Sequence, residues 1–226
     1  MEQLIYAVES VTRNAAYQEA VLAVAPAIAR HDLGPRGVFS GYDFHLGADG
    51  PQLIEINTNA GGVLLNFYLA AAQQACCTEV INYFGSKTEV ADAENDLIAM
   101  FEDEWRLQRP GRSLHRIAIV DNEPSEQFLY PEFLLFRSLF ERHGIETIIA
   151  DPKDFTIKEK ALWSGDQEID LVYNRLTDFY LESPESACLR EAYQEGLAVF
   201  TPCPYVYALY ADKRNLPLLS LSLIHI

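Results

Sequence analysis

From residue 116 onward, short apolar runs alternate with stretches of helical periodicity, and this alternation restricts the fold more than any other feature. RIAIVDNEP (116–124) is a continuous apolar run closing on polar residues. After it come an amphipathic stretch over 126–143, the run GIETIIADP (144–152), a hairpin around WSGDQ and the run IDLVYNRL (169–176). A helical stretch over 185–195 and GLAVFTPCP (196–204) complete the series. A run that is apolar without alternation is covered on both faces. Strands of this kind separated by helices predict an α/β fold with a parallel, Rossmann-like sheet. No G-x-G-x-x-G follows any of these strands, which argues against a dinucleotide-binding oxidoreductase.

The first half has a different texture. Thr12 to Arg30 reads as an Ala-rich helix, with Ser10 or Thr12 as its cap and Pro26 as a kink. HDLGPRG (31–37) reads as a loop, and VFSGYDFHL (38–46) and PQLIEIN (51–57) as two strands joined by GADG. An apolar helix is predicted over 64–84 and an acid-rich amphipathic helix over 88–105. RPGRS (109–113) reads as a linker, with a domain boundary near residue 110.

The 226 residues, 49% of them hydrophobic, can bury one large core or two modest ones. The net charge of -16 and the lack of a basic run argue against a nucleic-acid partner or a docked anionic membrane. No apolar run reaches membrane-spanning length, and MEQLIYAVES has no basic segment leading an apolar one, so a cytoplasmic location is expected. Cys76, Cys77, Cys188 and Cys203 show no C-x-x-C and are expected to be reduced thiols.

The chemistry concentrates in the first hairpin. If residues 47 and 51 close its turn, Asp43 stands opposite Glu55. Asp43, His45, Glu55 and Asn57 then share one face, and Phe44, Leu46, Ile54 and Ile56 the other. Opposed carboxylates repel, so a shared proton, a nearby Lys or Arg, or a metal must offset the repulsion. Magnesium suits such a site, because it takes oxygen ligands and commonly uses one or two carboxylates beside substrate phosphates. The turn Asn59-Ala60-Gly61-Gly62 offers N–H groups and close backbone approach for an anion beside the metal. Arg175, at the predicted C-terminal end of a parallel strand, is a candidate clamp for a carboxylate or phosphate. Asp121, Asn122 and Glu123 end a neighbouring strand. His31, His115 and His143 lack zinc-site spacing.

YDFHLGADGPQLIEINTNAGG resembles the metal-binding hairpin of ATP-grasp ligases, in which an Asp on one strand and E-x-N on the next hold Mg-ATP. The hairpin precedes the Rossmann-like part, an order similar to that of the circularly permuted ATP-grasp proteins grouped with glutathionylspermidine synthetase. ADKRNLPLL resembles the helix that opens the ATP-grasp unit proper. The likeness runs from about residue 10 to 220. It implies a permuted hairpin-and-helix subdomain over 1–86, a helix and linker over 87–112, and a pre-ATP-grasp domain over 113–204. Residues 205–220 would begin the nucleotide-binding subdomain, whose lysines, covering loop and adenine pocket are expected after ADKRNL. It further implies a carboxylate–amine ligase working through an acylphosphate with ATP as co-substrate. Asp43, Glu55 and Asn57 would hold Mg²⁺ or Mn²⁺, Asn59, Gly61, Gly62 and Lys213 would contact the nucleotide phosphates, and Arg175 would orient substrate. The alternative is a non-catalytic binding or partner module that keeps the fold.

LSLIHI (221–226) is the translation of CTGTCTCTTATACACATC, a transposon end used to build sequencing libraries. The natural chain is therefore expected to continue beyond Ser220 with other residues.

Overall fold

Side chains along RIAIV alternate strictly between two cores, and the architecture follows from that. The structure, a computed structural model, describes residues 1–48, 50–74 and 87–223. Strands β3 (Arg116–Val120), β4 (Glu146–Ala150), β8 (Leu171–Asn174) and β9 (Val199–Thr201) form a parallel sheet in the order β4-β3-β8-β9. Ile117, Ile119, Leu171, Tyr173 and Val199 are buried in one core, and Ala118, Val120, Val172 and Phe200 in the other. The parallel α/β layout is the one the strand–helix alternation predicts, with both faces of the sheet covered.

The first core face is covered by helices α4 (Lys87–Gln108) and α5 (Tyr130–Arg142), with Leu64 of α3 (Val63–Gln74). Phe101 of α4 lies at the centre of an aromatic cluster, with ring centroids 4.8 Å from Phe140, 5.0 Å from Tyr173 and 6.0 Å from both Phe39 and Phe136. The opposite core brings together α1 (Glu2–Thr12), α2 (Ala15–Val24), α6 (Ala187–Gln194) and α7 (Pro204–Tyr210). That core also takes Ile56 from the hairpin β1 (Gly41–Gly47) and β2 (Gly50–Asn57), and Leu219 from α8 (Leu216–Leu223). Both cores therefore draw on residues from the first 86 as well as from the parallel sheet. A small antiparallel sheet, β5 (Phe155–Lys158), β6 (Ala161–Ser164) and β7 (Gln167–Ile169), precedes β8 and matches the hairpin expected around WSGDQ.

Two expectations need correction. The single helix over 12–30 is instead α1, α2 and a 3-10 turn at Ala27–Arg30. Asn14 starts a new helix because its side chain accepts from the Ala16 and Tyr17 N–H groups, and extended Ala25 before Pro26 stops it. In the hairpin Asp43 does pair with Glu55, but Gly47 pairs with Gly50, and Ile54 is an extra residue between Phe44↔Leu53 and Asp43↔Glu55. This bulge inverts the alternation between Ile54 and the turn and leaves Glu55, Ile56 and Asn57 in the expected register. Leu53 packs against the core in place of Ile54, which is 50% exposed.

Helix α3 begins as expected, and the remainder of the helix predicted to residue 84 lies outside the described residues, as do Cys76, Cys77 and 224–226. Cys188 is half-buried and Cys203 buried, both as free thiols. Among the described residues, no helix is long and apolar enough to cross a membrane.

Candidate functional site

β3 connects to β4 on one side and β8 lies on its other side, so the strand order reverses direction between β3 and β8. In open parallel sheets this crevice, outside the carboxyl ends of the strands, is where ligands bind. Asp121 follows β3 directly, and Arg175 follows β8, its N–H donating to the Val120 carbonyl at 2.9 Å.

The turn after β2 lies on this crevice. Arg175 is 7% exposed and donates from Nη1 to the carbonyls of Asn59 (2.6 Å) and Ala60 (3.1 Å). Asn59 Nδ2 donates in return to the Leu176 carbonyl at 3.3 Å. Gly61 is required for close approach, since a Cβ there would collide with Leu129 and lie 2.7 Å from Arg175 Nη2. Gly62 has φ +85°, a left-handed conformation that glycine adopts without strain. The Gly62 N–H donates to Glu132 Oε2 at 2.7 Å and the Leu64 N–H to Oε1 at 3.0 Å. Of the N–H groups expected to cradle an anion, that of Gly62 is thus held by a carboxylate of the protein. Arg175 Nε is buried with no partner among the described residues.

Glu132 is 1% exposed, and sequence reasoning missed it. Its signal was present: it stands four, seven and eight positions before Phe136, Leu139 and Phe140, on the apolar stripe of α5. An acid on such a stripe needs partners, and the Gly62 and Leu64 amides provide them.

The electrostatics of the crevice follow from burial. Asp121 is pushed up to about 6, mainly by desolvation and also by the nearby Asp151, against the opposing influence of the Asn122 N–H and Arg175. Tyr173, buried beneath Arg175, is pushed up to about 12 by desolvation. Glu123 has φ 40°, left-handed for a non-glycine residue, and its N–H donates to Asp151 Oδ2 at 2.9 Å.

The predicted metal ligands lie on the hairpin. Asp43 and Glu55 are directly paired across the ladder, and Asn57 Nδ2 donates to Glu55 Oε1 at 3.1 Å. Lys213 Nζ lies 2.7 Å from Glu55 Oε2, so an ammonium offsets the carboxylate repulsion. Lys213 and then Asn57 hold the Glu55 carboxyl below its ordinary range. The turn that carries Lys213 is anchored: Asp212 caps it by accepting from the Arg214 N–H, Tyr180 OH donates to Asp212 at 3.2 Å, and Asn215 Nδ2 donates to the Ala208 carbonyl at 2.6 Å. Asp43, Glu55, Asn57 and Lys213 are therefore brought together, while Asn59, Gly61, Gly62 and Arg175 form a second group at the sheet crevice, joined to the first by the last residues of β2.

Two carboxylates and an amide oxygen make an oxygen donor set of the kind a hard divalent cation takes, and the hydrogen bond from Asn57 uses its nitrogen, leaving its oxygen for a ligand. Among the described residues there is no group of three or more His, Cys, Asp or Glu arranged to hold a metal. The hairpin offers two carboxylates and the amide of Asn57. No family model and no curated protein matches the chain.

Proposed function

We propose that the chain is part of a circularly permuted ATP-grasp ligase and carries the metal and phosphate side of an ATP- and Mg²⁺-dependent carboxylate–amine ligation. The observation that carries this reading is the Asp43↔Glu55 pair with Asn57 on the same strand, reached by Lys213 from the ADKRNL segment. Asp43, Glu55 and the Asn57 oxygen hold the cation. When bound, Mg²⁺ would supply positive charge against the nucleotide phosphates. Lys213 exchanges its carboxylate partner for a phosphate oxygen. Arg175 orients the substrate carboxylate, and its unpartnered Nε is the kind of unsatisfied buried donor that calls for a functional explanation. The Gly61 backbone is exposed at the turn and would face the transferred group.

The second reading, a non-catalytic binding module, is favoured by a different observation: Glu55, Gly62 and Arg175 all have partners within the protein. Mn²⁺ titration monitored by electron paramagnetic resonance separates the two. The ligase reading expects one bound Mn²⁺, lost in Asp43→Asn and in Glu55→Gln. In Lys213→Met the metal alone binds more tightly, because no ammonium competes for Glu55, whereas Mn-ATP binds less tightly. Absence of Mn²⁺ binding, or binding that survives both carboxylate substitutions, removes the metal site and leaves the binding module.

A further inference from the structure

At the opposite end of the parallel sheet, the residues leading into β3, β8 and β9 enclose a cleft of about 500 Å³, within the size range of small-molecule sites. Its walls are the end of α4, the segment 109–115, the β5–β6 turn and the β7–β8 junction. Arg109, Arg112 and Lys160 all line it, and among the described residues none of the three forms a salt bridge. In a chain with 33 acids and 17 Lys and Arg, three cations without a carboxylate partner converging on one cleft call for an explanation.

The acids of the cleft do not supply that partner. Asp170 Oδ2 accepts from the His115 and Arg116 N–H groups at 2.8 and 2.9 Å, and Glu159 and Glu168 are exposed. Arg109 donates to the Gly196 carbonyl, a neutral acceptor. Burial and the neighbouring Arg112 charge hold the Arg109 guanidinium below its ordinary range, and Asp170 opposes them less strongly. Trp105 Nε1 donates to the Arg112 carbonyl at 2.7 Å, fixing the loop that carries the second guanidinium.

The turn that carries Lys160 is strained. Lys158 pairs with Ala161, leaving Glu159 (φ 51°) and Lys160 (φ 60°) as a two-residue hairpin turn in the left-handed region. Asn-Gly or Gly-Gly would adopt this turn with little strain. A lysine held there against its backbone preference is the kind of outlier that concentrates at ligand clamps.

We propose that this cleft binds a small molecule bearing a phosphoryl or pyrophosphoryl group, gripped by the Arg109 and Arg112 guanidinium forks and by the Lys160 ammonium. Two planar forks and an ammonium match a multiply charged anion with several acceptor oxygens better than a single carboxylate. The site is distinct from the hairpin and does not depend on the ligase reading.

The test is isothermal titration of the chain with inorganic pyrophosphate, with citrate as a polycarboxylate comparison, in buffer containing a chelator so that no hairpin metal contributes. Pyrophosphate is expected to bind in a salt-dependent manner, and Arg112→Ala and Lys160→Gly are each expected to weaken it about tenfold. Glycine relieves the left-handed turn, so Lys160→Gly keeps or raises Tm, and its loss of affinity is not a folding defect. Glu55→Gln leaves pyrophosphate affinity unchanged. Binding weaker than about 10 mM, insensitivity to both cleft substitutions, loss in Glu55→Gln, or preference for citrate would each overturn the assignment.

Discussion

Glu55 receives the Lys213 ammonium and the Asn57 amide, while Asp121 lies half-buried with Arg175 as a counter-charge that does not outweigh desolvation, and the two carboxyls shift in opposite directions. The lowered pKa of Glu55 stabilises the fold above the unfolded-state value, and that contribution disappears as pH falls through the native one. Asp121 behaves in the reverse sense. Between about pH 4 and 6 the native state keeps a proton that the unfolded chain has released, so stability falls as pH rises through that window. Asp121→Asn is therefore expected to raise unfolding free energy by about 1–2 kcal/mol at pH 8, with partial exposure limiting the gain, and by nothing near pH 4. Urea unfolding at the two pH values checks this. A gain of the same size at both would assign the effect to packing instead of charge.

At the level of elements, the hairpin and the parallel sheet are joined through two buried charges of opposite sign. Arg175 holds the carbonyls of Asn59 and Ala60, and Glu132 holds the amides of Gly62 and Leu64. This arrangement fixes the turn between β2 and α3 on the crevice, with Ala60 packed against the core. Glu132→Ala leaves two N–H groups without an acceptor and is expected to cost about 2–4 kcal/mol. Glu132→Gln keeps one acceptor oxygen and should cost less. Chemical denaturation of both variants measures the difference, and equal losses would show that one acceptor oxygen contributes nothing without the second. The pairing of Asp43 with Glu55 was expected from the sequence on a turn closed by residues 47 and 51; the observed turn is one residue tighter, and the bulge restores the pairing. The alternation itself was legible. The bulge at Ile54 was not, because a bulge depends on which neighbour Leu53 finds to pack against.

Across the whole molecule, part of the acidic excess acts as loop anchoring. Glu104 accepts from the Arg36 and Gly37 amides, Glu132 from Gly62 and Leu64, Asp151 from Glu123 and Lys153, Asp170 from His115 and Arg116, and Asp178 from Glu182 and Ser183. Each carboxylate satisfies two amides that no helix or sheet would pair. The sheet is held between layers by aromatic packing, with Phe101 fully buried at its centre. Phe101→Ala is expected to cost about 3–5 kcal/mol, read from the urea midpoint, because the surrounding rings close only part of the cavity. A cost under about 1 kcal/mol would mean that α4 contributes little to this core.

What the sequence determined by itself is local or periodic: the order of strands and helices from 116 onward, the burial of the parallel sheet on both faces, and the start of α3. These follow from spacing along a single chain. The tertiary structure decided which distant segments meet: Lys213 with Glu55 over 158 positions, Arg175 with Asn59 over 116, and Glu132 with Gly62 over 70. It also decided that Lys160 faces the same cleft as Arg109 and Arg112. No periodicity encodes such meetings, because a buried charge selects its partner by the geometry of the packed layers and by the need to leave no buried polar group unsatisfied.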